Sequence, residues 1–467
     1  MLYFYMNLFG GTCNSHEEIE RLIQLDRLYL WHPFTQMKEW LESEPVIIVE
    51  GRDCFIKDIK GRWYLDGVSS LWVNIHGHNR KEINDAIKAQ IDRISHSTLL
   101  GLASVPSILL AERLVKILPA GLVKVFYSDN GSTSVEVALK MAFQYWVHKG
   151  ERGRTAFLSL NNGYHGDTLG AVSVGGIDIF HSTFKPLLFK TYRAPSPYCY
   201  RCELGRSYPE CKLACLSVME ELLSKHSHEI AALIIEPLVQ AAGGIITSPP
   251  GYLKGVRELC TKYNVLMIAD EVATGFGRTG KMFAVEHEEV SPDIICLSKG
   301  ITGGYLPLGV TVATEEIFNA FLGRFEDLKT FFQGHSYTGN QLACAAALAS
   351  LDIFEKDRVL ENLQPKIKLL KERLQQIKDL GIVGDVRQCG LIAGIELVKD
   401  KKTKESFGYI DRIGWKVAYK ARERGVFIRP LGNIIVIMPP LAISIENLEK
   451  FLDIIEESIA STASENL

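Results

Sequence analysis

No apolar run in the chain approaches the ~20 residues that a membrane helix needs, so no helical membrane span is expected. Neither sign of charge is in excess. Lys and Arg together number 52, Asp and Glu 55, and the formal net charge is −3. A global basic field that would draw the protein to nucleic acid or an anionic membrane is therefore absent. No G-x-x-x-x-G-K-[ST] loop occurs, which excludes the P-loop way of holding a nucleotide. The opening MLYFYMNLFGG has no basic residues before its apolar stretch and no small-residue cleavage site after it, so it does not read as a signal peptide. The expectation is a cytoplasmic protein with a short apolar arm, Met6 being an alternative start. Internal repeats and low-complexity segments are also missing. The ten cysteines are scattered, which excludes a secreted disulfide scaffold. Cys260, Cys296 and Cys344 sit in apolar contexts and read as small buried hydrophobes.

What remains is a chain of 467 residues, 47% hydrophobic and 23% charged, long enough for two domains. Its middle alternates short apolar runs with amphipathic helical stretches. The runs are Val123–Tyr127, Thr155–Leu160, Ala231–Ile235, Val265–Ala269, Ile294–Leu297 and Leu308–Val312. They are rich in Val, Ile and Leu without polar alternation, as in strands buried on both faces of a mainly parallel sheet. Val135–Trp146 places Val135, Ala138, Leu139, Ala142 and Trp146 on one helical face, and Tyr252–Tyr263 is a second helix. This βαβ alternation predicts a large α/β domain with helices on both faces. Beyond Asn340, helical stretches at Leu342–Phe354 and Leu360–Leu380 lead into strand-like Leu391–Leu397 and Val426–Met438, with a helix between and one at the end. That pattern predicts a smaller α+β domain. Runs at Val46–Glu50, Cys54–Asp58 and Trp63–Asp66, with Gly51 and Gly61 at turns, are expected to join it. The expected division is 1–75 (arm and part of the small domain), 76–340 (large domain) and 341–467.

Ligands of open α/β sheets bind at the carboxyl ends of the strands, so the residues following each run matter most. Ser128-Asp129-Asn130-Gly131-Ser132-Thr133 precedes a helix, and small hydrogen-bonding residues there suit either an anion site or a plain N-cap. Tyr164-His165 lies between Gly163 and Gly166 and leaves a ring at a strand mouth, either to stack on a planar ligand or as part of an ordinary glycine loop. Asp270 follows five apolar residues, and a carboxylate so placed needs a cationic partner such as a protonated pyridinium nitrogen. Lys299 stands at the next mouth between Ser298 and Gly300, where burial lowers an amine's pKa and frees it to attack an aldehyde.

Gly275-Phe276-Gly277-Arg278-Thr279-Gly280 matches G-x-G-x-x-G letter for letter. A dinucleotide site needs its first glycine at the strand end and a helix on its last, and neither context is present, so a nicotinamide oxidoreductase is the disfavoured rival. Cys199, Cys202, Cys211 and Cys215, in PYCYRCELGRSYPECKLAC, form two close pairs that could hold zinc or an iron–sulfur centre. Their irregular spacing favours the other reading, a surface insertion that binds nothing, and no metal is expected.

Together these residues resemble the class III (ω-type) aminotransferases. The longest match runs from Leu266 to Gly309, and the likeness covers nearly all the chain except the arm and the cysteine insertion. Within the family, WHPFTQMK (31–38), DGVSSLWVNIHGHN (66–79), DEVATGFGRTG (270–280) and GHSYTGNQLACAAA (334–347) look like the branch that aminates 8-amino-7-oxononanoate in biotin synthesis. The resemblance implies a fold-type I α/β transferase: a mainly parallel seven-stranded sheet plus a smaller α+β domain, working as a homodimer with shared active sites. It implies pyridoxal 5'-phosphate, carried by Lys299 as a Schiff base, with Asp270 on the pyridinium and Gly131 and Ser132 on the phosphate. Tyr164 would stack near the ring and shape the substrate pocket. His335 and Ser336 would reach the phosphate from the partner subunit. Phe34, Trp72, Gly334 and Arg429 would meet substrate, Arg429 gripping a carboxylate in a bidentate fork. Relatives acting on ornithine usually have Gln where Ala273 stands, which argues against those substrates. Many members of the branch have Tyr at the place of Phe34 and Trp-Trp at that of Leu71-Trp72, so the donor, S-adenosylmethionine or lysine, stays open. Another ω-aminotransferase or an aminomutase is the alternative within the family.

Overall fold

The computed structural model describes residues 16–466, and the apolar arm with Met6 lies outside the described residues. A seven-stranded sheet forms the centre. Its order is Leu122–Ser128, Gly309–Thr314, Ile294–Leu297, Leu266–Asp270, Ile230–Ile235, Ala156–Leu160 and Thr191–Ala194. Gly309–Thr314 runs antiparallel to both neighbours, and the other pairings are parallel. Each of the six apolar runs in the sequence is one of these strands. The seventh, Thr191–Ala194, escaped that pattern: its TYRA sequence carries Arg193 and is only partly buried at the sheet edge.

Burial on both faces follows from the pleat. Ile234, Ile268 and Ile294 point to one side, where they pack on Val135, Ala138, Leu139, Ala142 and Trp146 of the helix Gly131–His148. Leu233, Ile235, Met267, Ala269, Ile295 and Leu297 point to the other, into a larger core shared with the helices Tyr252–Lys262 and Gln341–Lys356. A buried Leu or Ile is worth ~1.5–3 kcal/mol over an exposed one, so two covered faces fix the sheet's register and its helices together. Cys260, Cys296 and Cys344 are fully buried within these cores.

Beyond the central sheet, Val383–Cys389, Ile392–Asp400, Glu405–Ser406 and Ile434–Ile437 make a four-stranded antiparallel sheet, flanked by helices Val359–Lys378, Ile413–Glu423 and Ile445–Asn466. The run Val426–Met438 is two strands rather than one: Val426–Phe427 pairs with Trp63–Asp66, and a turn at Leu431–Gly432 separates it from Ile434–Ile437. The hairpin strands Ile48–Arg52, Phe55–Asp58 and Trp63–Asp66 thus join a strand from near the C-terminus. Gly61 sits at a turn with φ +83°, but Gly51 lies inside its strand, not at a turn as expected. Asp53 makes that turn, and Gly51 is needed because a Cβ there would stand 2.9 Å from the His78 side chain. Among the described residues no helix is long and apolar enough to cross a membrane.

Candidate active site

The registers Ile235↔Ala269 and Ala269↔Ile295 put three strand ends on one level. Glu236, Asp270 and, just past Cys296, the segment Ser298-Lys299 therefore emerge side by side. They open into a cavity of about 630 Å³ that Asp270, Lys299, Gly131, Ser132, Tyr164 and Trp72 all line.

Asp270 is buried, and its oxygens are engaged from two sides: Oδ2 by His165 Nδ1 at 2.7 Å, Oδ1 by the Val272 N–H at 3.1 Å. Glu236 accepts from the N–H groups of Tyr164 and Ala241, each at 2.9 Å. Burial pushes the Glu236 carboxyl up to about 7. The charge of Asp270 adds to that rise, while His165 and the two N–H donors oppose it. From sequence, His165 has no role beside Tyr164, and Glu236 is not singled out. Glu236 carried the same signal as Asp270, an acid at the end of a fully apolar strand.

Lys299 leaves its strand with φ +44°, a left-handed conformation unusual for a residue with a side chain. Its ammonium lies 4.8 Å from the centre of the Trp72 ring. Removal from water lowers its pKa. Asp270 and Glu236 pull it back up, and Arg278 pushes it further down.

Trp72 is held there by an uncommon backbone. Ser69, Ser70, Leu71 and Trp72 all have positive φ, between 50° and 75°. Such residues cost on the order of 1–3 kcal/mol each and persist only where surroundings over-determine them. Asp66 accepts from Ser70 N (2.9 Å) and Ser70 Oγ (2.7 Å) and pairs with His78 Nε2. From the other side, the fully buried Arg278 donates to Ser69 Oγ (2.8 Å), Asn74 O (3.1 Å) and Pro439 O (2.5 Å). The glycine loop around Arg278 thus clamps the Trp72 turn. No helix opens on Gly280, Phe276 itself is left-handed at φ +56°, and the dinucleotide reading fails on this geometry.

Gly131 and Ser132 open an 18-residue helix capped by Asn130, whose side chain accepts from Thr133 N at 3.0 Å while Thr133 Oγ1 accepts from Asn130 N at 2.9 Å. The first-turn N–H groups have no partners inside the helix and favour an anion. Gly131 cannot be larger, because its Cβ would lie 2.7 Å from Val272. Tyr164 donates its hydroxyl to Asp167 (2.9 Å), and its ring stacks on His181 at 6.3 Å.

These features fit a bound pyridoxal phosphate. The cavity holds a helix start whose first-turn N–H groups lack partners inside the helix, an amine of lowered pKa and a buried carboxylate. Thr168 Oγ1, buried in the wall, has no hydrogen-bond partner among the described residues.

Five expected residues are not in this wall. Arg429 donates to the carbonyl of Phe34 at 3.2 Å and lies over Trp415. Phe34 packs edge-on against Phe180 at 5.3 Å, and Phe180 neighbours Tyr164, so the pair sits outward of the cavity along an aromatic run. Gly334, His335 and Ser336 lie against segment 96–100: Gly334 faces Leu100, and Ser336 O accepts from His96. His335 Nδ1 pairs with Asp129 at 2.7 Å.

Comparison with known proteins gives one answer. The family model for class-III aminotransferases matches residues 37–459. The chain is 58% identical to the adenosylmethionine-8-amino-7-oxononanoate aminotransferase of Geobacter sulfurreducens, over 95% of this chain and 98% of that one. It superimposes on the crystal structure of the protein of that name from Methanocaldococcus jannaschii with a TM-score of 0.91, at 51% identity, covering 95% and 99% of the two chains. The omega transaminase of Pseudomonas jessenii gives a TM-score of 0.91 at 30% identity, covering 95% and 98%.

Proposed function

The chain belongs to the class III aminotransferase family, and from that premise we propose that it transfers an amino group from S-adenosylmethionine to 8-amino-7-oxononanoate, with pyridoxal phosphate as cofactor. The observation that carries the reading is the meeting of Asp270 and Lys299 on one cavity wall, beside the helix start at Gly131. The substrates follow from the names of the Geobacter and Methanocaldococcus relatives.

When bound, the cofactor supplies an aldehyde that takes up an amine and a protonated ring that draws electrons from the substrate carbon. Gly131 and Ser132 would hold its phosphate with first-turn N–H groups. Asp270, oriented by His165 and Val272 N–H, would keep a proton on the ring nitrogen. Lys299 would supply the attached amine and afterwards move a proton at the substrate's amine-bearing carbon. Removal from water lowers its pKa and so favours the neutral form that this task needs. Trp72 walls the amine off from water on one side. Tyr164, Phe34 and Arg429 would shape and grip the substrate. We place the cofactor-bearing unit at 76–340, between 1–75 and 341–467, and the protein in the cytoplasm as a homodimer. There Gly334, His335 and Ser336 would complete the partner's cavity, which agrees with their standing outside the wall of their own.

Single-turnover assays test this. Mixing holoenzyme with S-adenosylmethionine should bleach the visible band of the aldehyde cofactor, and 8-amino-7-oxononanoate should restore it. Bleaching by lysine and not by S-adenosylmethionine would overturn the donor assignment. Failure of the keto acid to restore the band would overturn the substrate.

A further inference from the structure

The loop after the edge strand Thr191–Ala194 and the first turn of the helix Ala214–His226 bring four cysteines to the lining of one small cavity. Cys199, Cys202, Cys211 and Cys215 all line a small cavity, walled also by Tyr208 and Pro249, with room of about 20 Å³ for a single small occupant. A water-sized sphere needs roughly 10–15 Å³, so one ion fits and an iron–sulfur cluster does not. Cys199-x2-Cys202 and Cys211-x3-Cys215 both fall within the C-x2–4-C spacing of structural zinc sites. All four are free thiols. The carboxylate at the cavity, Glu203, is already engaged by Ser196 N–H and Asn161 Nδ2, which leaves the cysteine sulfurs to ligate. On sequence alone the unequal spacing favoured a loop that binds nothing, and the shared cavity reverses that balance.

We propose that these four cysteines bind one zinc ion as a tetrahedral structural site. No three of them already stand as a ligand set, so binding turns at least one thiol inward. Four Zn–S bonds form, and each thiol gives its proton to solvent. Zinc keeps its charge and no electrons move. The loop is tied on both sides. Ser196 Oγ donates to Gln240, which in turn donates to Asn161 O at 2.9 Å, two positions before Gly163-Tyr164. Tyr198 and Arg201 bond Glu396 of the antiparallel sheet, and Lys404 Nζ donates to Tyr200 O at 2.8 Å. A metal here would staple the edge of the central sheet to the second sheet, away from the cavity of Lys299.

The test is metal uptake by the full-length holoenzyme, reduced and stripped with a chelator. Zn2+ should bind at one ion per chain and raise the thermal midpoint. Co2+ in its place should give the thiolate-to-cobalt charge-transfer band of a four-sulfur site. Cys202→Ser/Cys211→Ser should lose the band and the rise in midpoint while turnover persists. No uptake by the wild type, a cobalt spectrum without the thiolate band, or full uptake by the double variant would each overturn the site. Should the double variant not fold, the wild-type cobalt spectrum decides alone, because the cysteines outside this loop that the structure describes are dispersed singly.

Discussion

Arg278 and Glu271 show how much of this site depends on residues that never face it. Arg278 is buried and pairs with no carboxylate among the described residues, and desolvation brings its pKa down to about 9, with Asp66 acting to raise it. Its donors go to Ser69 and to two carbonyls, which fixes the left-handed turn and hence Trp72 beneath Lys299. Arg278→Met is expected to retain the cofactor's visible band yet lower kcat/KM between about 10- and 100-fold, the usual effect of a slightly misplaced wall. Steady-state kinetics beside an absorbance spectrum check this. Glu271 is equally buried, receiving Thr274 Oγ1 at 2.6 Å and Val285 N at 2.9 Å, and burial pushes it up to about 7. An acid whose folded pKa exceeds its unfolded one binds its proton more tightly when folded. Stability is therefore lost as pH rises from the ordinary carboxyl value of 4.5 through about 7. Glu271→Gln should remove that slope, so the variant gains on the wild type across this window by an amount on the order of 3 kcal/mol. Urea midpoints at pH 4.5 and 7.5 measure the difference, and parallel curves for the two proteins would contradict it.

At the level of elements, the helix Gly131–His148 joins fold and chemistry. Its inner face covers the sheet, and its first turn offers the anion cradle. Asn130→Ala removes the cap and should cost about 1 kcal/mol of stability. Because the same turn would hold phosphate, cofactor should also dissociate faster, which dialysis followed by absorbance reads directly. The strands and this helix were legible from sequence because each carries an unbroken apolar signal, and Asp270 and Lys299 were legible because each ends such a strand. Other parts were not. Thr191–Ala194 is an edge strand with a charged residue and gave no apolar run. The Ser69–Trp72 turn has no glycine to announce its positive φ, and its conformation is imposed by Asp66 and Arg278, distant in sequence. His165 is recognisable as the partner of Asp270 only once strands ending at residues 160 and 270 are placed in one sheet.

On the scale of the whole molecule, the cavity is lined almost entirely by segments that follow strands of the central sheet, while Gly334, His335 and Ser336 stand apart from it. If the dimer shares its sites as proposed, co-expressed chains bearing Lys299→Ala and His335→Ala/Ser336→Ala should form hybrids with one intact composite site. Activity of the mixture should exceed that of either variant alone, and no recovery would count against sharing. The central claim is that Lys299 and Asp270 serve opposite ends of one pyridine ring in this cavity. Borohydride reduction of the holoenzyme, followed by peptide mass spectrometry, tests it most directly. The account predicts the pyridoxyl phosphate mass on Lys299 alone, with the label lost in Lys299→Ala; a label on another lysine, or none at all, would contradict it.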